Sequence, residues 1–193
     1  MVMKKMVLLL LLAVAVGVFA QTDDSDSRIV QWTEFLGRNP NDADAYNNRG
    51  STYYVKGDYD NAIADYAQAI RINPNHANAY GNRGNAYYAK GDLDRAITDY
   101  TQAIRINSTY TEAYNNRGAA YYGKGDLDRA IADYTQAIGI DPNYATSYYN
   151  RGSVWYAKAD YAKARADWEK VLQIASGNAD ARRSLEVLRI MGY

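Results

Sequence analysis

The hexapeptide Ala45-Tyr-Asn-Asn-Arg-Gly50 recurs unchanged at Ala113–Gly118, and close variants, AYGNRG and SYYNRG, stand at Ala79–Gly84 and Ser147–Gly152. Each copy begins 34 residues after the one before, and the Tyr, the second Asn, the Arg and the Gly are the same in all four. This period constrains the fold more than any other feature of the chain. A unit of 20–50 residues cannot bury its apolar face alone, so a fixed repeat of that length means one supersecondary unit stacked on copies of itself. Counted from Ala43, the units are 43–76, 77–110, 111–144 and 145–178.

Local signals make each unit a pair of helices. Lys56, Lys90, Lys124 and Lys158 fall in the last turn of a first helix, where a cation complements the helix dipole. Gly57, Gly91 and Gly125 follow, able to take the left-handed conformation that ends a helix; the fourth unit has Ala159 there. Asp58, Asp92, Asp126 and Asp160 come next, as N-caps of a second helix, and Pro74 and Pro142 stop that helix in two units. The chain therefore reads as all-α. Gly50, Gly84, Gly118 and Gly152 lie mid-helix, where glycine costs about 1 kcal/mol against alanine. That cost implies a neighbour passing too close for a side chain. Ala62, Ala96, Ala130 and Ala164 are the matching small sites on the second helix. The tyrosines at helical spacing around them, Tyr46, Tyr53, Tyr66 and their equivalents up to Trp155 and Trp168, read as core.

Written out, the first unit is Tyr46-x-x-Arg49-Gly50-x-x-Tyr53, then Ala62-x-x-x-Tyr66, then Pro74. This resembles the tetratricopeptide repeat, a helix–turn–helix unit with aromatic, Leu-Gly, Tyr, Ala, aromatic and Pro at those spacings. The chain departs from the pattern in places. Arg replaces Leu in all four units, Ser108 and Ser176 stand for Pro, and Val171 takes a small-residue site. The resemblance implies a right-handed solenoid whose first helices line a concave groove. The flanks suit an array. Residues 28–38 carry Ile29, Trp32, Phe35 and Leu36 on one stripe, as a second helix lacking its first. Residues 179–193 place Ala181, Leu185 and Leu188 on one face, with Arg182, Arg183, Glu186 and Arg189 away from it, as a polar-backed capping helix.

Residues 1–20 read as a secretory signal peptide. Lys4 and Lys5 precede an apolar run from Met6 to Phe19, and Val18-Phe19-Ala20 forms the cleavage site. The run falls short of the about 20 residues that span a bilayer, which sets it against the alternative of an uncleaved anchor. Residues 21–27 read as an acidic flexible tether. A periplasmic or secreted location is expected. The absence of cysteine excludes both a lipidated N-terminal Cys and disulfides. Removal of Lys4 and Lys5 leaves 20 basic against 22 acidic side chains, a net −2 that gives no electrostatic case for nucleic acid, and no membrane span remains.

The resemblance assigns the groove arc to two invariant series, Asn48, Asn82, Asn116, Asn150 and Tyr54, Tyr88, Tyr122, Tyr156. A primary amide donates to and accepts from a peptide backbone, and a repeat of amides meets an extended chain more than once. The other role open to these asparagines is bonding to the neighbouring unit's backbone to set helix register. Arg49, Arg83, Arg117 and Arg151 each have an Asp sixteen residues on (Asp65, Asp99, Asp133, Asp167), which favours an interhelical ion pair over capture of ligand carboxylates. Some members of the family grip a peptide's terminal carboxylate with groove cations. Here Asn47, Ser51, Asn82, Glu112 and Asn116 hold those positions, so no such clamp is expected. With one histidine, His76, and no cysteine, neither a catalytic site, a metal site nor a cofactor is expected. The chain thus reads as an exported non-enzymatic module that holds an extended peptide or protein segment, suited to an adaptor in a cell-envelope assembly. A glycan-binding module and a self-associating envelope scaffold are the alternatives.

Overall fold

The structure is a computed structural model that describes residues 24–193; the signal segment 1–20 lies outside the described residues. Among those described there are ten helices and no strand. They are α1 (Asp24–Arg38), α2 (Ala43–Val55), α3 (Tyr59–Ile72), α4 (Ala77–Ala89), α5 (Leu93–Ile106), α6 (Thr111–Gly123), α7 (Leu127–Ile140), α8 (Ala145–Ala157), α9 (Tyr161–Ile174) and α10 (Ala179–Ile190). Each packs on the helix before and after it in the chain, giving an all-α solenoid. Beyond these neighbours, α2 touches α4, α4 touches α6 and α6 touches α8. First helices of successive units therefore approach one another, which puts them on the inner side of the curve.

The punctuation works as its chemistry dictates. The carboxylates of Asp58, Asp92, Asp126 and Asp160 accept the backbone N–H of the third residue on, at 3.2, 3.0, 3.1 and 3.2 Å. Gly57, Gly91 and Gly125 take φ of 82°, 79° and 79°, and Ala159 adopts the same left-handed turn at 58° despite its Cβ. The lysines have a second partner that the helix dipole did not suggest. Lys56, Lys90, Lys124 and Lys158 each pair with an acid 30 residues earlier, Asp26, Asp60, Asp94 and Asp128, on the preceding second helix. These exposed pairs are worth under about 1 kcal/mol each. They also correct one expected boundary. Asp24–Ser27, read as tether, form the first turn of α1, with Ser25 buried and Asp26 holding Lys56.

The mid-helix glycines are explained by rings. A Cβ on Gly50, Gly84 or Gly118 would lie 2.9, 2.7 or 2.9 Å from the ring of Tyr66, Tyr100 or Tyr134, and one on Gly152 would lie 2.7 Å from Trp168 Nε1. The second helix thus sets its aromatic ring against the glycine while its small residue, Ala62, Ala96, Ala130 or Ala164, sits fully buried. The polar ends of most of these rings are satisfied: Tyr66 donates to Ser51 Oγ (3.3 Å), Tyr100 to Asn85 Oδ1 (2.8 Å) and Trp168 Nε1 to the Tyr149 carbonyl (3.2 Å).

Burial pushes the Tyr66 phenol from 10.0 up to about 12, and moves Tyr100 and Tyr134 in the same direction. A pKa higher in the folded than in the unfolded chain stabilises fully below the unfolded value and is lost as pH rises through the folded one. The array is therefore expected to weaken from about pH 10 upwards. The phenolate absorbance of these three residues should appear together with loss of helical circular dichroism, after the exposed tyrosines have titrated. Titration of all the tyrosines before any helix is lost would contradict their burial.

Candidate functional site

The four arginines sit at the junction of helices and units. Each guanidinium makes a two-pronged contact with the Asp on its own second helix: Arg49–Asp65 (2.7 and 2.7 Å), Arg83–Asp99 (2.7 and 2.8 Å), Arg117–Asp133 (2.8 and 2.7 Å) and Arg151–Asp167 (2.9 and 2.7 Å). All four carboxylates are buried. Three of the arginines also donate Nη1 to the preceding second helix, at Thr33 (3.1 Å), Thr101 (3.0 Å) and Thr135 (3.0 Å). The plane of each also faces the tyrosine three residues before it, at 5.5–5.7 Å. All four arginines are held by a buried carboxylate of their own unit, and the ion-pair reading of the sequence holds.

The concave face is built from amides and phenols. Tyr54, Tyr88, Asn116 and Asn150, all expected there, line one cavity of about 420 Å³ together with Asn85, Tyr100, Asn115 and Ala119. Three of the invariant asparagines donate across a seam between units: Asn82 to Asn47 Oδ1 (2.9 Å), Asn116 to Asn85 Oδ1 (2.9 Å) and Asn150 to Asn115 Oδ1 (3.1 Å). Asn115 also accepts from Ser147 (3.0 Å) and donates to Asn116 Oδ1 (3.0 Å). A continuous amide chain therefore crosses from the fourth unit to the second. The bonding partners are side chains, where the sequence had suggested backbone. Each bond uses one of an amide's two N–H groups, so a seam bond and a ligand bond are compatible on one residue.

Asn48 stands apart, exposed near Trp32, Ser51 and Val55 at the N-terminal end of the array. The tyrosine series also divides. Tyr54 and Tyr156 are half-buried against Tyr59 and Tyr161, with rings 5.4 Å apart in each pair. The middle units have Leu93 and Leu127 at that position, and Tyr88 and Tyr122 are left 42% and 43% exposed. Asn85 and Asn115 were missed from sequence, and Asn47 was read only as leaving a clamp position without a cation, because their positions hold Gly81 and Tyr149 or Ser51, Ala119 and Ser153 elsewhere, so no period marks them. The available signal was an amide next to, or three residues after, an invariant asparagine.

His76 is structural. Its Nδ1 accepts the Ala79 N–H at 3.3 Å as the N-cap of α4, and its Nε2 lies 3.0 Å from Asp44 Oδ1. Among the described residues no group of three or more His, Asp or Glu side chains could hold a metal, and no helix is long and apolar enough to cross a membrane.

Comparison with known proteins agrees with this architecture. No curated protein matches the sequence. Among solved structures, the crystal structure of MamA is 27% identical, covers 81% of this chain and 92% of its own, and superposes with a TM-score of 0.74. The first TPR of Spaghetti (RPAP3), bound to the HSP90 peptide SRMEEVD, is 29% identical over 61% of this chain and 93% of its own, with a TM-score of 0.59. TTC0263, a thermophilic TPR protein in Thermus thermophilus, shares the fold at 22% identity, 91% and 96% coverage and a TM-score of 0.71. Family profiles described as tetratricopeptide repeat match residues 43–76, 66–98, 111–144 and 145–178, and one described as TPR repeat matches 84–125. With these matches running unbroken from 43 to 178 over the eight helices α2 to α9 in the expected register, the chain belongs to the tetratricopeptide repeat family.

Proposed function

We propose that this chain is an exported, non-enzymatic protein-interaction module whose concave face holds an extended, largely uncharged peptide or protein segment. The observation that carries the reading is the amide-lined cavity between α2 and α8, with Tyr88 and Tyr122 exposed along the same face. Backbone N–H and C=O groups of an extended chain match primary amides, and phenol faces add rigid contact area with polar tips. The Spaghetti domain provides the precedent of a TPR bound to a peptide, SRMEEVD, rich in acidic side chains. The present groove carries amides instead of cations at the corresponding arc, so an acidic tail is not its ligand. Export rests on residues 1–20, and N-terminal sequencing of the native chain is expected to begin at Gln21.

Tyr88 and Tyr122 offer the cleanest test, because they are exposed and lie outside the seam bonds. Tyr88→Ala with Tyr122→Ala should change stability by less than about 1 kcal/mol. It should weaken binding of dodecapeptides selected on the wild-type chain at least tenfold, read by calorimetric titration beside thermal melting. Equal affinity in the variant would place recognition elsewhere. Asn82→Ala with Asn116→Ala is a different experiment: it removes seam bonds as well as groove amides, so stability and binding should both fall, each lost neutral bond counting for about 0.5–1.5 kcal/mol.

A further inference from the structure

Helix α10 continues the register of the first helices, and its circumference is divided in a way that an end cap alone does not require. Ala181 and Leu188 are buried against the fourth unit. At about 100° per residue, the remainder forms two sectors. One carries Arg182, Glu186 and Arg189, at the positions where α8 presents Tyr148, Gly152 and Trp155 to its second helix. Glu186 accepts twice from Arg189, at 2.8 and 2.6 Å. This is the polar outer surface that the end of a solenoid needs for solubility. The other sector lies in register with the groove arc: its first turns carry Asp180, Arg183 and Ser184, and its C-terminal end carries Val187, Ile190 and Met191, which are 41%, 73% and 42% exposed. A cap needs no exposed aliphatic groups, and these three stand at helical spacing i, i+3 and i+4, so they lie side by side on one end of the helix.

Register ties this patch to the groove. Ile190 falls 34 residues after Tyr156 and is the fifth member of the series Tyr54, Tyr88, Tyr122, Tyr156. Contact ties it as well: the Tyr156 hydroxyl reaches Met191 Sδ at 3.5 Å, so patch and tyrosine series form one surface. We infer that Val187, Ile190 and Met191 are an apolar anchor at the C-terminal end of the groove, taking one large aliphatic or aromatic side chain of the same segment whose backbone the groove holds. This rests on the groove reading above. Strand-addition complexes divide labour in this way, with main-chain bonds giving affinity and side-chain pockets giving specificity, and amides beside an apolar end offer the same division here. The patch is small and continuous with the groove, which suits one side chain of the segment already lying there.

The test is selection of a random dodecapeptide phage library on the purified chain and on an Ile190→Ser, Met191→Ser variant. Both residues are exposed, so the variant should melt like wild type. Peptides enriched on the wild type should share one large apolar residue at a constant distance from an uncharged stretch. That residue should vanish from the variant's selection, and wild-type peptides should bind the variant at least tenfold more weakly. Enriched peptides that lack such a residue, or that bind both chains equally, would overturn the anchor and leave the groove standing. Enrichment of nothing on either chain would overturn both. Conversion of a dimer to monomers by Ile190→Ser in sedimentation, with peptide binding intact, would assign the patch to a second copy and overturn the anchor.

Discussion

Arg117→Ala is expected to destabilise the array by about 3–5 kcal/mol, the usual loss when one partner of a buried ion pair is removed. The substitution strands the buried Asp133 carboxylate, which now receives two N–H bonds at 2.8 and 2.7 Å, and it deletes the 3.0 Å bond from Arg117 Nη1 to Thr101 on the neighbouring unit. The loss comes from the charge left behind, so removing both charges should be tolerated far better. Arg117→Leu with Asp133→Leu is expected to recover most of the stability, since an apolar pair of suitable volume often replaces a buried ion pair at little cost. Leu is also the residue that the family pattern carries at the Arg position. Urea denaturation of the three chains checks this. A loss below about 1 kcal/mol for Arg117→Ala would mean that the pair behaves like an exposed one.

Gly118→Leu should cost about 1–3 kcal/mol by overpacking. A Cβ there would lie 2.9 Å from Cε1 and 3.1 Å from Cδ1 of the buried Tyr134 ring, and a leucine adds three more carbons into the same space. Units couple chiefly to their nearest neighbours, so a strained third unit should also broaden the thermal transition. The mechanism makes a second demand. Shrinking the ring with Tyr134→Ala should make room, so the double variant must be more stable than the sum of the two single losses predicts. A Gly118→Leu chain that melts like wild type, or strictly additive losses, would mean that the ring does not fill the glycine's place.

Features that recur in register were legible in the sequence. The Gly57–Asp58 punctuation, the Arg49–Asp65 pair and the Gly50–Tyr66 contact each depend on residues inside one unit at a constant offset, and four copies multiply each signal. What crosses between units was harder to read. The pairing of Lys56 with Asp26 also recurs in all four units, but its offset of 30 residues joins two different units and is longer than any helix of the array. The seam amides were hidden for a different reason. Asn150 bonds to Asn115 but Asn116 bonds to Asn85, so the invariant donor finds its acceptor at position 5 of one unit and position 9 of another. Only the packed seam fixes which is nearer.

On the proposed reading, binding falls to groups that the scaffold leaves unspent. The arginines are held by Asp, and three of them also by Thr, whereas the central tyrosines are exposed and each seam amide keeps an N–H. Titrating the isotope-labelled chain with a selected dodecapeptide, and following side-chain amide and aromatic resonances, tests that division most directly. The resonances of Asn82, Asn116, Asn150, Tyr88 and Tyr122 are expected to shift, while Gln68, Gln102 and Gln136 on the second helices stay in place. Shifts gathered on those glutamines, with the asparagines and tyrosines unmoved, would contradict a concave binding face.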